Sequence, residues 1–203
     1  MDCEVIHVES RSDEWRSLRH GRITASRLGD VMARKDTKRY RRYQTQIVLE
    51  NAGAVFADKN EPWFEHGRDM EPRAIDAARY KFGWEIRTDI FLIHHKYDWL
   101  SCSPDGMFND MREGVEFKCR KVYQEYTKRR EKGLEASHRF QVQAAMWLTG
   151  LGSWWYLNYY IHEKDHTQKL CRVLVPRDDK LIAKMEERCL EFMAEVNDMA
   201  GLK

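Results

Sequence analysis

The sequence predicts an α/β protein, a single domain over residues 1–203 in which helices flank a central mixed β-sheet. Three observations carry this. Helix-period apolar patterns run to about Gly83, alternating apolar and polar residues follow between Trp84 and Cys119, and helix and strand patterns then interleave to the end. The length suits one domain, and no internal repeat or Pro/Gly/Ser-rich linker divides it.

The elements follow in order. Ser12 can cap a short helix with Asp13 and Glu14 in its first turn. Thr24 or Ser26 can begin a second, through Leu28 to Met32. A third spans about Lys38 to Asn51, with Tyr40, Tyr43 and Ile47 at helical spacing. A fourth covers about Pro72 to Phe82, with Pro72 at its first position and Ala74, Ala77, Ala78 and Phe82 following. Trp84, Ile86, Thr88, Ile90 and Leu92 alternate as a strand until Phe91 breaks the pattern, and Trp99 to Ser103 is a second strand. Pro104-Asp105-Gly106 is a turn or bulge signal. Gly114 to Cys119 is a third strand, so this stretch reads as an antiparallel hairpin series. A basic helix near Val122 to Lys132 and a helix from about Ser137 to Thr149 come next. Strands Trp154 to Ile161 and Leu170 to Val175 and an amphipathic helix from Arg177 to Met199 complete the chain.

Composition excludes several classes. Hydrophobic residues make 42% and charged residues 33%, a soluble globular balance. No stretch approaches the roughly 20 apolar residues of a membrane helix. Met1 to Ser10 has no apolar core of the kind a secretory signal needs. The five cysteines are odd in number and none is spaced like a zinc ligand, which points to reduced thiols and a cytoplasmic location. The net charge is only +2, so any nucleic-acid surface must be a local basic patch.

The chemistry concentrates in Ser103-Pro104-Asp105-Gly106 and Glu116-Phe117-Lys118. Residues two apart on a strand share a face, so Glu116 and Lys118 project together, and a hairpin would bring Asp105 alongside. From spacing alone this is either an exposed salt-bridge cluster or a ligand site. The apolar Val115 and Phe117, and the bend that fixes Asp105, favour the second. Phosphodiester hydrolysis needs charge neutralised on the phosphate and a water made nucleophilic. Asp105 and Glu116 are candidate ligands for a hard cation. Lys118 can position or deprotonate the water, and whether burial or the carboxylates govern its pKa is open at this level.

Further motifs make a family resemblance specific. Trp15-Arg16-Ser17-Leu18-Arg19-His20-Gly21-Arg22-Ile23-Thr24-Ala25-Ser26, Gly67-Arg68-Asp69-Met70-Glu71, Ser103 to Gly106, Glu116 to Cys119 and Gln141-Val142-Gln143 occur in that order. Together they resemble the phage lambda-type (YqaJ-like) alkaline exonucleases of the PD-(D/E)xK nuclease superfamily. The resemblance implies a restriction-endonuclease-like core. It implies Mg²⁺, with Mn²⁺ able to substitute, held by Asp105, Glu116, the Phe117 backbone carbonyl and Glu71, with Lys118 as the catalytic amine. It also implies a glutamine facing the catalytic centre. Gln141 and Gln143 lie about 200° apart on a helix, so one of them faces it, and Gln143, sharing a face with Trp147, is the reading taken here. Arg19 and Ser26, with Gln143, resemble the receptor for the 5′-phosphate of a DNA end. Phe64 resembles an apolar wedge that separates the strands, with core packing as the other reading of Trp63 and Phe64. The implied substrate is linear double-stranded DNA, digested 5′ to 3′ to leave a 3′ single strand for recombination. The implied assembly is a ring-shaped homotrimer working beside a single-strand annealing protein in a bacterial host's cytoplasm.

Other features stay open. The run Arg34, Lys35, Lys38, Arg39, Arg41 and Arg42 is either a phosphate grip or a solvated helix face. Lys118, Arg120, Lys121, Lys128, Arg129 and Arg130 form a second basic surface nearer the site. Trp154, Trp155, Tyr156, Tyr159 and Tyr160 read as core or subunit contact rather than base stacking. His66 is a further candidate metal ligand, whereas His94-His95 does not match zinc spacing. The rival functions are another endonuclease or repair nuclease of the same superfamily, and a non-catalytic DNA-end-binding recombination accessory.

Overall fold

The fold was obtained as a computed structural model, which describes residues 1–56 and 62–201, with the side chains of 62–64 outside the description. It begins with a strand absent from the sequence reading, β1 (Cys3–His7), followed by α1 (Asp13–Arg19) and the short β2 (Ile23–Thr24). Ser12 caps α1 as expected, its hydroxyl accepting from the Trp15 N–H at 3.1 Å. One 3₁₀ turn (Ala25–Arg27) leads into α2 (Leu28–Val31), then α3 (Lys38–Asn51) and the long α4 (Pro62–Phe82). Pro72 therefore lies inside α4 rather than at its start. Its side chain is exposed, where water can replace the hydrogen bond that its missing N–H gives up.

The strand expected from Trp84 to Leu92 is two strands, β3 (Ile86–Arg87) and β4 (Ile90–His94). Asp89 separates them in a left-handed conformation, φ 57°. Its carbonyl accepts from Val8 N–H at 3.0 Å and its carboxylate from Ser10 N–H at 3.1 Å, which ties the bend to the end of β1. There follow β5 (Leu100–Cys102), β6 (Gly106–Phe108), β7 (Gly114–Arg120), α5 (Tyr123–Lys132), α6 (Ala136–Thr149), β8 (Ser153–Ile161), β9 (Gln168–Pro176) and α7 (Asp179–Met199).

The strands form two hydrogen-bonded sheets, ordered β1-β4-β5-β2 and β3-β6-β7-β8-β9. Both are mixed: β2 runs parallel to β5, and β7 parallel to β8. The hairpin series is thus interrupted, because β5 and β6 belong to different sheets and Ser103-Pro104-Asp105 bridges them. The parallel β7–β8 pair needs a long crossover, which α5 and α6 supply. The five-stranded sheet is covered on both faces. Ala74, Ile75 and Ala78 of α4 pack on Val115, Phe117, Leu157 and Tyr159. On the other side α6 is buried from Val142 to Thr149 among residues of both sheets and α7. Gly114 is required by this packing, since a Cβ there would overlap the buried Trp154 ring. Among the described residues no helix is long and apolar enough to cross a membrane.

Candidate active site

Strand alternation on β7 sorts its side chains. Val115 and Phe117 enter the apolar layer beneath α4, so Glu116 and Lys118 point to the opposite face, toward α6. Glu116 is 4% exposed. Lys118 Nζ donates to Glu116 Oε1 at 2.5 Å, and the same oxygen accepts from Gln141 Nε2 at 2.7 Å. Gln141 Oε1 in turn lies 3.4 Å from Lys118 Nζ. β6 pairs with β7 only through Gly106–Val115 and Met107–Gly114, leaving the edge of β7 open beyond them. Asp105 occupies that opening, its Oδ2 accepting from the Phe117 N–H at 2.6 Å. The N–H and C=O of one strand residue lie on the same side, so the Phe117 carbonyl also faces the Asp105 side.

The electrostatics of this cluster are unbalanced. Burial lifts the Asp105 carboxyl well above its ordinary range, and Glu116 and Glu71 lift it further against Lys118 and the Phe117 N–H. Burial also raises Glu71, with Glu116 adding to it and Arg11 opposing; the Arg11 guanidinium stands 3.7 Å from the Glu71 carboxylate. Burial alone would lower the Lys118 pKa, but Glu116 and Asp105 outweigh it, so Lys118 is held as the ammonium. Burial, Asp105 and Glu71 push the neighbouring Cys119 thiol up to about 12. These are the marks of a pocket with excess negative charge, and a hard divalent cation fits them. Among the described residues no three His, Cys, Asp or Glu side chains form a metal-holding group. The residues that could hold such a cation are Asp105, Glu116 and the Phe117 carbonyl, while the Glu71 carboxylate pairs with Arg11.

A second polar pocket adjoins the first. Arg19 lies over the Trp15 ring at 4.4 Å and donates to Thr24 Oγ1 at 3.5 Å, and Thr24 Oγ1 is 3.3 Å from Ser26 Oγ. Trp15 Nε1 donates to Ser103 Oγ at 3.0 Å, two residues before Asp105. Cys102 senses both pockets: burial, Glu116 and Asp105 raise its thiol, and Arg19 opposes them. The structure thus gathers Arg19 and Ser26 around the Thr24 hydroxyl. Thr24 and Ser103 were missed as polar partners here, although both lay in recognised motifs and Thr24 was also read as a helix start.

Gln143 is the expectation the structure corrects. It is 2% exposed and faces away from the carboxylates, its Nε2 donating to the Pro176 carbonyl at 2.9 Å and its Oε1 accepting from the Asp178 N–H at 2.8 Å. Gln141, on the other face of α6, is the glutamine that meets Glu116 and Lys118. Sharing a face with Trp147 misled the choice, because Trp147 is itself buried against His94 and Tyr97. The Phe64 side chain lies outside the described residues. His66 Nε2 is buried without a hydrogen-bond partner and joins no metal-holding group among the described residues. Much of the first basic run is engaged in ion pairs: Arg34 with Asp36, Lys35 with Glu191 and Glu195, and Arg39 with Asp30. Trp154, Tyr156, Tyr159 and Tyr160 are buried, whereas Trp155 is half-buried.

The profile of the YqaJ-like viral recombinase domain matches residues 14–152, which span both polar pockets. No curated protein matches the chain. Among solved structures, the alkaline exonuclease LHK-Exo from Laribacter hongkongensis is 23% identical with a TM-score of 0.80, covering 94% of this chain and 95% of that one. A phage-related exonuclease from Haemophilus somnus 129PT is 14% identical with a TM-score of 0.67, covering 92% and 98%. A SOX–DNA complex is 10% identical with a TM-score of 0.59, covering 93% of this chain and 68% of SOX. The fold is accordingly the restriction-endonuclease-like one of the alkaline exonucleases. With the matched segment covering most of its length, the chain belongs to the YqaJ-like viral recombinase family, the lambda-type exonuclease group that its motifs resemble.

Proposed function

We propose that this protein is a divalent-cation-dependent exonuclease that digests linear double-stranded DNA from its ends, 5′ to 3′, leaving 3′ single strands for strand annealing. The observation that carries the reading is the adjacency of two unlike pockets. One is a carboxylate pair with an ammonium, Asp105, Glu116 and Lys118. The other is the Arg19–Thr24–Ser26 cluster, linked to the first through Trp15 and Ser103. A guanidinium and hydroxyls suit a terminal phosphate, and the carboxylates suit a hard cation.

Asp105, Glu116 and the Phe117 carbonyl would hold the cation, Mg²⁺ or Mn²⁺. When bound, it supplies charge neutralisation at the phosphate and makes a water easier to deprotonate. Lys118, as an ammonium, orients the attacking water and stabilises charge that develops on the phosphate oxygens. Gln141 fixes both Glu116 and Lys118 through its amide, and it replaces Gln143 in the role facing the centre. Arg19, Ser26 and Thr24 receive the 5′-phosphate, and Phe64 remains the proposed wedge. A ring-shaped homotrimer, an annealing-protein partner and a bacterial host's cytoplasm complete the reading, supported by the family alone.

The test is digestion of end-labelled linear duplex carrying 5′-phosphate or 5′-hydroxyl, beside closed circular duplex. Mononucleotide release from the 5′-phosphorylated end, slower from the hydroxyl end and absent on circles, is the expected result. Cutting of circles would favour the endonuclease alternative, and end binding with no cleavage at any Mg²⁺ or Mn²⁺ concentration would favour the non-catalytic one.

A further inference from the structure

Behind Lys118, the catalytic face of β7 carries one more basic residue at the same spacing, Arg120. Its guanidinium donates to Asn158 Oδ1 at 2.9 Å, Tyr156 Oη at 3.1 Å and Glu135 Oε2 at 3.0 Å. Glu135 stands at the cap position of α6 without capping it, and its other oxygen meets Arg129 at 3.3 Å. The Tyr156 hydroxyl also lies 2.8 Å from His138 Nδ1.

Donor and acceptor chemistry allows this chain of bonds to run from Arg120 through Tyr156 to His138, whose Nδ1 also lies 3.6 Å from Glu135 Oε2. Arginine has only donors, so the Tyr156 oxygen accepts from Arg120 and keeps its own hydrogen to give. Given to His138 Nδ1, that hydrogen makes Nδ1 the acceptor and places the ring proton on Nε2. The surroundings agree. Burial, Lys118, Arg120 and Arg129 hold the His138 pKa down to about 3 against the pull of Glu135, so the ring is neutral. Among the described residues the ring's hydrogen bond is the one at Nδ1, and the side chain is 23% exposed. His138 and Gln141 are three apart on α6 and share a face. Gln141 touches Glu116 and Lys118, so His138 stands on the face of α6 that is turned toward the catalytic cluster.

We propose that His138 contacts the substrate, as a neutral Nε2–H donor to a backbone phosphate of the DNA next to the one being cut, with its tautomer set by Tyr156 and Arg120. This rests on the nuclease reading. A proton on Nε2 also means that this nitrogen is not a metal ligand.

Two measurements test it. Side-chain ¹⁵N NMR of the histidines should show His138 neutral with its proton on Nε2 from pH 5 to 8, and Tyr156→Phe should release that single tautomer. An imidazolium at pH 7, or a proton on Nδ1, would overturn the proposal. The second is binding of a 5′-phosphorylated linear duplex in chelator, where no cleavage occurs, across a salt series. His138→Ala should bind about tenfold more weakly, the weight of one hydrogen bond to a charged acceptor. The slope of log Kd against log salt should not change, because a neutral donor releases no counterion. His138→Gln, which keeps an N–H donor, should recover part of the loss. Wild-type affinity in His138→Ala, or a slope reduced by about one, overturns the inference while the nuclease reading stands. A wild type that neither binds nor cuts DNA ends removes both together.

Discussion

The two glutamines of α6 make opposite predictions, and their bonds set the size of each. Replacing Gln143 by Ala strips the Pro176 carbonyl and the Asp178 N–H of their partners at 2.9 and 2.8 Å. A stranded buried polar group costs about 1–3 kcal/mol. Pro176 is exposed and Asp178 half-buried, so water can restore part of this, and the low end, about 2 kcal/mol in total, is the better figure. For a domain of this length that lowers Tm by roughly 4–8 °C. Single-turnover cleavage below the new Tm should stay near wild type, since Gln143 touches neither Glu116 nor Lys118. Gln141→Ala should do the reverse. It removes one bond from Glu116 and one from Lys118 but leaves their direct pair, so Tm should move little, while misplacement of the catalytic groups lowers the single-turnover rate about 10²-fold. Thermal melts and rapid-quench cleavage on both variants decide it. A Gln143→Ala protein with wild-type Tm and lost cleavage would refute the reasoning.

Further predictions follow from the same geometry. Arg19→Ala should slow digestion of 5′-phosphorylated ends much more than of 5′-hydroxyl ends, with Arg19→Lys a partial rescue, because lysine lacks the bidentate fork; equal losses on the two ends would reject the end-phosphate role. Gly114→Ala should destabilise the fold by about 1–3 kcal/mol, read from denaturant midpoints, because the new methyl group overlaps the Trp154 ring. His138 also links stability to pH. With its folded pKa depressed to about 3, the unfolded chain binds more protons below the ordinary histidine range. Its contribution to stability is therefore full above about pH 6.5 and is lost as pH falls from there toward 3. His138→Asn should flatten that acid limb, and an unchanged limb would count against a neutral, half-buried ring.

Much of the fold is legible in the sequence because local signals and tertiary packing agree. Ser12 caps α1, and Tyr40, Tyr43 and Ile47 are buried at the helical spacing that marked α3. Glu116 and Lys118 share a face because strand alternation forces it. Where the reading departs from the structure, a long-range contact decides. β1 is five residues with polar and apolar side chains on both faces, and only pairing with β4 marks it as a strand. Asp89 cuts a continuous alternating pattern by adopting a left-handed conformation tied to the chain after β1. Pro72 suits a helix start by local rules, yet α4 runs through it along the apolar layer of β7. The glutamine choice failed for a related reason. Helical geometry separates Gln141 from Gln143 but does not say which face meets β7, and the ties of Gln143 to Pro176 and Asp178 are details of packing that no spacing reveals.

The central claim is that Asp105 and Glu116 hold the cation that cleavage requires. The most direct measurement is Mg²⁺-titrated digestion of 5′-phosphorylated linear duplex by the wild type, Asp105→Asn and Glu116→Gln, with Mg²⁺ affinity read by calorimetry on the same samples. Both variants keep side-chain volume and remove one charge. The account predicts metal-dependent cleavage by the wild type, and in each variant weaker Mg²⁺ binding with cleavage lost, while DNA-end binding in chelator persists. Near-normal turnover with unchanged Mg²⁺ affinity in either variant would contradict it.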